Sequence, residues 1–387
     1  MKIYSNLLNG ILEILKESFS SNIYAHRIIE KQLKSNKKWG SKDRAFVARH
    51  SYEMIRWWRL LWFLKGEESS LSKGKLNELF EVYRSWAIDK TISAPENLSI
   101  GIAQSYAPWF DEIAKKELGK EWGVISQALN REANVVLRTN TLKITRDELL
   151  EILSKEGIEA RVTKISSDAI VLKKRKSLKN LNSFKSGLFE IQDGGSQLIP
   201  GFLNPVEGDK IIDCCAGAGG KALSLASNMK NRGEILCIDT NRKKLNELEI
   251  RANRAGVTCI KKLHYQNKKD LQKFSNWASK LLLDVPCSGT GVIRRDVDIK
   301  WKLTPEILSD TIELQYQILD TYSFLLKPGG ILVYATCSIL SSENEDQIDR
   351  FLNRNQNIFE LEKQKRILPM DEDSDGYYVA VLRKIKN

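Results

Sequence analysis

The sequence predicts an α/β protein: a Rossmann-like, doubly wound domain with a mostly parallel sheet, preceded by a small α+β module and an N-terminal all-helical domain. Three observations carry this. From about residue 191 to 387, apolar runs alternate with amphipathic stretches, and alternation within one sheet calls for crossover helices and parallel strands. From 1 to about 104, apolar positions recur every three or four residues almost throughout, which is the helical period. Between them, residues 105–190 mix the two periods, and a chain of 387 residues is too long for one comfortable core.

In the first domain the helical spacing is clearest in LLNGILEIL, IYAHRIIEKQL and AFVARHSYEMIRWWRLLWFL. The stretch around the last of these sets lysines and arginines among aromatic residues, and two readings stand. One is a buried aromatic helix with snorkelling cations. The other is a basic face that touches RNA phosphates, with Arg56 and Arg59 one helical turn apart. The middle region runs from the helix PWFDEIAKKEL through the strand VVLRTNT and the helix DELLEILSKEG to the strands IEARVTKI and AIVLKKR. Its basic tail, KKRKSLKNLNSFKSG, reads either as a solvated loop or as a guide for RNA.

Composition narrows the function classes. Lys and Arg number 61 against 49 Asp and Glu, a net charge of +12 that suits a polyanionic partner through counterion release. No apolar run approaches the roughly 18 residues of a membrane span, and the N-terminal stretch reads as an amphipathic helix, so a cytoplasmic protein without a membrane partner is expected. The six cysteines (214, 215, 237, 259, 287, 337) fall in the C-terminal half, mostly within apolar runs, which fits a reducing compartment better than a disulfide framework. Neither CxxC spacing nor a Cys/His cluster suggests a metal. With His26, His50 and His264 as the chain's histidines, a histidine-based triad has little material.

Chemistry concentrates at strand ends. The first strand-to-helix junction, IIDCCAGAGGKALSLA, carries Gly217, Gly219 and Gly220, which let the backbone turn tightly against a ligand at a helix N-terminus. It has neither GxGxxG spacing nor a Walker lysine, so a nucleoside-bearing cofactor other than a dinucleotide or triphosphate is favoured. The next strand, ILCIDTN, ends at Asp239, placed to bond ribose hydroxyls or to cap a helix. LLLDVPCSGTGVIRRDVDIKW ends a strand at Asp284, presents Cys287 on a proline-stiffened turn, and continues to Arg294, Arg295 and Lys300, a candidate set of phosphate ligands. ILVYATCS brings Cys337 to the tip of the following strand, before an acidic helix start in SSENEDQI. A lone strand-tip thiol is by default a small buried hydrophobe. Two at adjacent crevice strands point to covalent chemistry on a base. Cys214, Cys237 and Cys259 read as core thiols.

These residues resemble the RNA cytosine-5 methyltransferases of the RsmB/NOL1/NOP2/Sun group. QDGGSQ, DCCAGAGGK, DVPCSGTGVIRRDVDIKW, YATCSILSSENEDQI and GYYVAVLRK correspond in order from about residue 188 to the end. VVLRTNTLK resembles the group's small RNA-recognition module, and the first hundred residues, with KDRAFV, resemble the NusB-like helical domain of the RsmB branch. The resemblance implies methyl transfer from S-adenosylmethionine to cytosine C5 in RNA, ribosomal more than transfer RNA. Cys337 matches the nucleophile that adds to C6, Cys287 the cysteine that assists release, and Asp284 the acid that meets the cytosine edge.

Lys221 stands where it favours a thiolate or holds substrate and loop. Cys215, Ala216, Gly217, Ala218, Gly219, Gly220 and Lys221 match the loop at the methionine end of the cofactor, and Asp239 its ribose ligand; Asp284 borders the same site. The chain departs from the group's pattern twice. Ala218 replaces the usual proline before GGK. LHYQNKKD lacks the acidic residue that meets the adenine, which leaves Tyr265 stacking or Gln266 hydrogen bonding for that task. A cytosine-specific DNA methyltransferase, a transfer-RNA enzyme and a non-catalytic RNA-binding assembly factor on the same fold are the competing readings. A monomer is expected.

Overall fold

The computed structural model describes residues 4–370 and 373–386. Its contacts divide the chain into two compact units, Met1–Glu132 with Val292–Ile307, and Ala133–Gly291 with Leu308–Asn387.

The first unit is helical. Helices Ser5–Ser20, Ala25–Ser35, Ser41–Arg56, Trp58–Lys65 and Lys73–Tyr83 turn the three-and-four-spaced apolar residues inward, burying Ile11, Ile14, Leu15, Ile28, Val47, Ile55, Leu61 and Phe80. Trp58 stacks on Phe19 with ring centroids 3.9 Å apart. Residues 105–132 contribute helix Pro108–Leu118, the stretch whose spacing predicts a helix, and helix Trp122–Ala128. Aromatic pairing ties them together: Tyr106 lies 4.9 Å from Trp122, whose indole donates to Asp111 at 2.8 Å.

Lys300, in the inserted segment, is 2% exposed. Its Nζ shares its hydrogens among Asn130 Oδ1 at 2.6 Å, Gln104 O at 2.9 Å, and Arg56 O and Ser105 O at 3.2 Å, and sits 4.1 Å from the Tyr106 ring centroid. Burial, and then the Arg56 charge, push it well below the ordinary lysine value. The amino group therefore gathers loop and helix-end carbonyls and is not a phosphate ligand. Lys300→Met keeps the stem and removes every donor, leaving buried acceptors unpaired at a cost of roughly 2–4 kcal/mol. A fall in Tm of about 5 °C or more is expected in a thermal melt; an unchanged Tm would contradict the role.

The second unit holds two sheets. The smaller is antiparallel, with β1 (Val136–Thr139), β2 (Ala160–Val162), β3 (Ala169–Leu172) and β4 (Phe189–Ile191) in the order β2-β3-β1-β4. Helix Arg146–Lys155, started by a Thr145/Glu148 capping box, packs Leu149 and Leu153 onto Leu137, Ile170 and Phe189. The larger comprises β5 (Lys210–Asp213), β6 (Glu234–Asp239), β7 (Ile260–His264), β8 (Ala278–Asp284), β9 (Leu326–Thr336), β10 (Phe359–Ile367) and β11 (Tyr377–Lys384). Their order is β10-β11-β9-β8-β5-β6-β7. β5 to β9 are parallel; β10 and β11 add antiparallel pairs.

Alternate residues feed the two faces, Ile211 into one core and Ile212 into the other. β5 has β6 on one side and β8 on the other, so the connections diverge there and open a crevice at the carboxyl ends. The sequence reading contains neither β4 nor β10; FELEKQKRI is a polar edge strand whose middle is solvent-facing. Among the described residues no helix is long and apolar enough to cross a membrane, and no group of three His, Cys, Asp or Glu side chains is placed to hold a metal ion.

Candidate active site

β8 and β9 lie side by side in parallel register, Asp284 opposite Ala335, so the turns that follow them leave the sheet together. Cys287 and Cys337 consequently face each other with Sγ atoms 3.1 Å apart, and the Cys337 amide donates to Cys287 Sγ at 3.3 Å. Gly291 makes the close approach possible. Its amide donates to Cys337 O at 2.8 Å, and a Cβ there would fall 2.2 Å from Gly376 O and 2.8 Å from Cys337 O. The Cys287 thiol is pushed well above the usual thiol range, first by its hydrogen bond with Cys337, then by burial, the Cys337 charge and the Glu343 carboxylate.

Beside the thiols, Lys221 Nζ meets Asp284 Oδ2 at 2.5 Å. Burial alone would lower the lysine, but the Asp284 charge and hydrogen bond, with smaller help from Cys337 and Asp213, hold it above its ordinary value. It stays an ammonium. A cavity of about 210 Å³ adjoins the pair, lined also by Asp213, Ala216, Gly220, Gln192, Ser196 and Arg251. Sequence reasoning missed Asp213. It is 1% exposed, its Oδ1 has no hydrogen-bond partner, and its carboxyl is pushed up to about 7, chiefly by burial and then by Asp284.

The glycine loop joins β5 to helix Gly220–Asn228. Gly217 and Gly219 have φ of +54° and +82°, and a Cβ on Gly219 would meet Leu248 at 2.6 Å. Asp239, at the tip of β6, accepts the Gly217 amide at 2.8 Å and the Asn241 amide at 2.7 Å, which ties the loop to the second strand. The Ala218 carbonyl accepts from Arg251 at 2.8 Å, and Arg251 is itself held by Glu190 at 2.9 Å. A side-chain clamp therefore fixes the loop where the family's proline is absent. Burial pushes the Cys215 thiol well above the usual thiol range.

Tyr265 follows β7, donates its amide to Asp239 O at 3.0 Å and packs 5.7 Å from the Tyr322 ring. Gln266 is exposed, and the nearby Asp270 accepts the Gln266 and Asn267 amides at 3.0 and 3.1 Å. Cys214 and Cys237 are buried core thiols.

Two sequence expectations for phosphate contacts need correction. Arg56 is 4% exposed and pairs with Glu53 at 3.1 Å, and Arg59 donates to Tyr106 O at 2.6 Å. The buried aromatic helix with tethered cations is therefore the reading that fits. Arg294 is likewise buried, like Lys300. On helix Ser41–Arg56, Lys42 and Arg49 are the cations left on the exposed side.

Comparison with known proteins agrees with this geometry. The profile of the family described as 16S rRNA methyltransferase RsmB/F matches residues 200–383, and that of the RsmF/B-like ferredoxin-like domain matches 106–179. Ribosomal RNA small subunit methyltransferase B of Vibrio vulnificus is 35% identical over 289 residues, 71% of this chain and 66% of that protein, just under two thirds of its length. The protein of the same name from Yersinia pseudotuberculosis is 31% identical over 318 residues, 81% of this chain and 73% of the relative. The crystal structure of PH0851 matches in fold with a TM-score of 0.81 at 22% identity, covering 99% of this chain and all of that one. A profile spanning the crevice sheet, a second on the module, and a relative matched across most of its length lead to one conclusion: the chain belongs to the RsmB/F family of 16S rRNA methyltransferases.

Proposed function

We propose that this chain methylates C5 of a cytosine in ribosomal RNA through a covalent adduct, as a cytoplasmic monomer. The observation that carries the reading is the pair of thiols 3.1 Å apart at the ends of neighbouring parallel strands, with the Lys221–Asp284 pair beside them. Cytosine C5 is a weak nucleophile. Addition of the Cys337 thiolate to C6 turns the ring into an enamine whose C5 attacks a methyl donor, and loss of the C5 proton then expels the thiolate. Cys287, held largely as a thiol, assists that release. Asp284 meets the cytosine edge, while Lys221 neutralises it and favours negative charge at Cys337.

S-adenosylmethionine would supply the methyl group. The residues suit it: residues 215–221 offer a glycine-turned backbone at a helix N-terminus, Asp239 retains lone pairs for ribose hydroxyls, and Tyr265 offers a ring to the adenine. The relatives' names favour small-subunit ribosomal RNA over transfer RNA. We assign the α+β module and the helical unit to RNA contact, the latter through exposed lysines rather than Arg56 and Arg59. Buried target bases must be swung out at a cost of a few kcal/mol, so an unpaired cytosine is the favoured target.

Incubation with methyl-labelled cofactor and small-subunit rRNA should yield labelled 5-methylcytosine, and Asp239→Ala should raise the cofactor KM by about tenfold. Label absent from RNA despite measurable cofactor binding would leave the assembly-factor reading; label in DNA alone would leave the DNA-methyltransferase one.

A further inference from the structure

Glu343 lies in the turn Ser341–Glu343 just beyond the Cys337 loop and has no solvent exposure. A buried carboxylate must find donors, and this one takes them from both thiol-bearing loops. Its Oε1 accepts the Ser288 amide at 2.8 Å and the Gln315 side-chain amide at 2.9 Å. Its Oε2 accepts the Ser288 hydroxyl at 2.5 Å and the Ser338 hydroxyl. Ser288 follows Cys287 and Ser338 follows Cys337, so one side chain grips the residue after each thiol. Gln315 extends the grip to the other side of Cys287 by donating to Pro286 O at 3.0 Å. Thr290 closes the circuit, 2.9 Å from the Ser338 hydroxyl and accepting the Ile339 amide at 3.1 Å.

We propose that Glu343 is a positioning residue of the methyl-transfer reaction: its carboxylate locks the Cys287 and Cys337 loops in one register, so that the attacking thiol and the releasing thiol reach the same base. It touches neither RNA nor cofactor. The inference rests on the covalent reading above. It follows from the number of charge-assisted bonds that converge on a single dry carboxylate, each of which would be weakened by neutralising it. A second contribution is electrostatic, since the same negative charge lies close enough to Cys287 to oppose a thiolate there.

Glu343→Gln preserves shape but places two amide hydrogens where two donors now point. The expected result is a fall in kcat of about tenfold or more, with KM for RNA and cofactor changed by less than about threefold. A second measurement needs no RNA. Diamide removes one hydrogen from each of two neighbouring thiols and joins their sulfurs, becoming the hydrazine, so its rate of closing Cys287 onto Cys337 reports how the loops are held. In Glu343→Gln that closure should slow by about tenfold.

An unchanged kcat, a loss shared by KM, or closure at the wild-type rate would overturn the role. Should the Gln variant fail to fold, Ser338→Ala removes one donor and keeps the charge. It should fold with a Tm lowered by a few degrees, with kcat and closure each reduced by about threefold, and wild-type values for both kcat and closure would likewise overturn the role. Because diamide closure is measured without methyl transfer, an inactive wild-type protein would count against the reaction while leaving the positioning test to be decided.

Discussion

Cys287→Ala protein, mixed with RNA and methyl donor, is expected to accumulate a protein–RNA species that survives denaturing electrophoresis, whereas Cys337→Ala should form none and lose turnover by a factor on the order of 10³ or more. The asymmetry comes from surroundings, since both thiols are half-buried. The Lys221 ammonium is held by the Asp284 charge and hydrogen bond, with Cys337 as a smaller favourable neighbour. Cys287 keeps its proton chiefly through its hydrogen bond to Cys337 and its burial, with Glu343 adding to both. A sulfur near an ammonium suits addition to C6; a retained thiol suits proton handling when the adduct breaks down.

Removing Cys287 is therefore expected to stop the proposed reaction after the bond to RNA has formed, and removing Cys337 to stop it before. Denaturing gels of labelled RNA with each variant decide the matter. Adduct with Cys337→Ala and none with Cys287→Ala would exchange the two roles.

The tips of β8 and β9 were legible because apolar runs of strand length end abruptly in DVPC and ATCS, and a strand end in an alternating α/β pattern already fixes which crevice it faces. Asp239 was legible for the same reason. Glu343 was not: within SSENEDQI it reads as one of several acids opening a helix, and its burial depends on Ser288, which is 55 residues earlier in the chain. Asp213 was hidden inside IIDCC, where an acid flanked by core residues gives no local sign of an unpaired oxygen. Lys300 and Arg56 misled in the opposite direction. Lys300 follows a strand end and Arg56 sits on a basic helix, and each looks like a phosphate ligand until the carbonyls that consume them, from Gln104, Ser105 and Arg294, are brought in by the fold. β10 escaped because an edge strand buries little and so carries little alternation.

Asp213→Asn should make the protein more stable at pH 8 and less active. The Asp213 carboxyl titrates near 7 in the folded chain against an ordinary value of 3.8, raised first by burial and then by the Asp284 charge, with Lys221 pulling the other way. Between those two values the folded state binds more protons than the unfolded one, so this residue's contribution to stability falls as pH rises through the window and stays low above it. About three pKa units correspond to roughly 4 kcal/mol at pH 8, and to well under 1 kcal/mol near pH 4.

Asparagine does not titrate, and its carbonyl can still accept the Cys215 amide that Asp213 now receives. Its amide hydrogens would point toward the oxygen position that currently has no partner, close to the Asp284 charge. Thermal melts should therefore show the variant above the wild type by several degrees at pH 8, with the gap closing toward pH 4. An equal gap at both pH values would mean that burial of the charge is not the cause, and a variant less stable at pH 8 would mean that the carboxylate has a partner strong enough to offset its desolvation. A carboxyl kept at this cost in the wall of the cavity beside Lys221 and Asp284 is expected to serve the reaction rather than the fold. Turnover should accordingly fall by about tenfold in the more stable variant, the direction opposite to that of any substitution that acts by loosening the sheet.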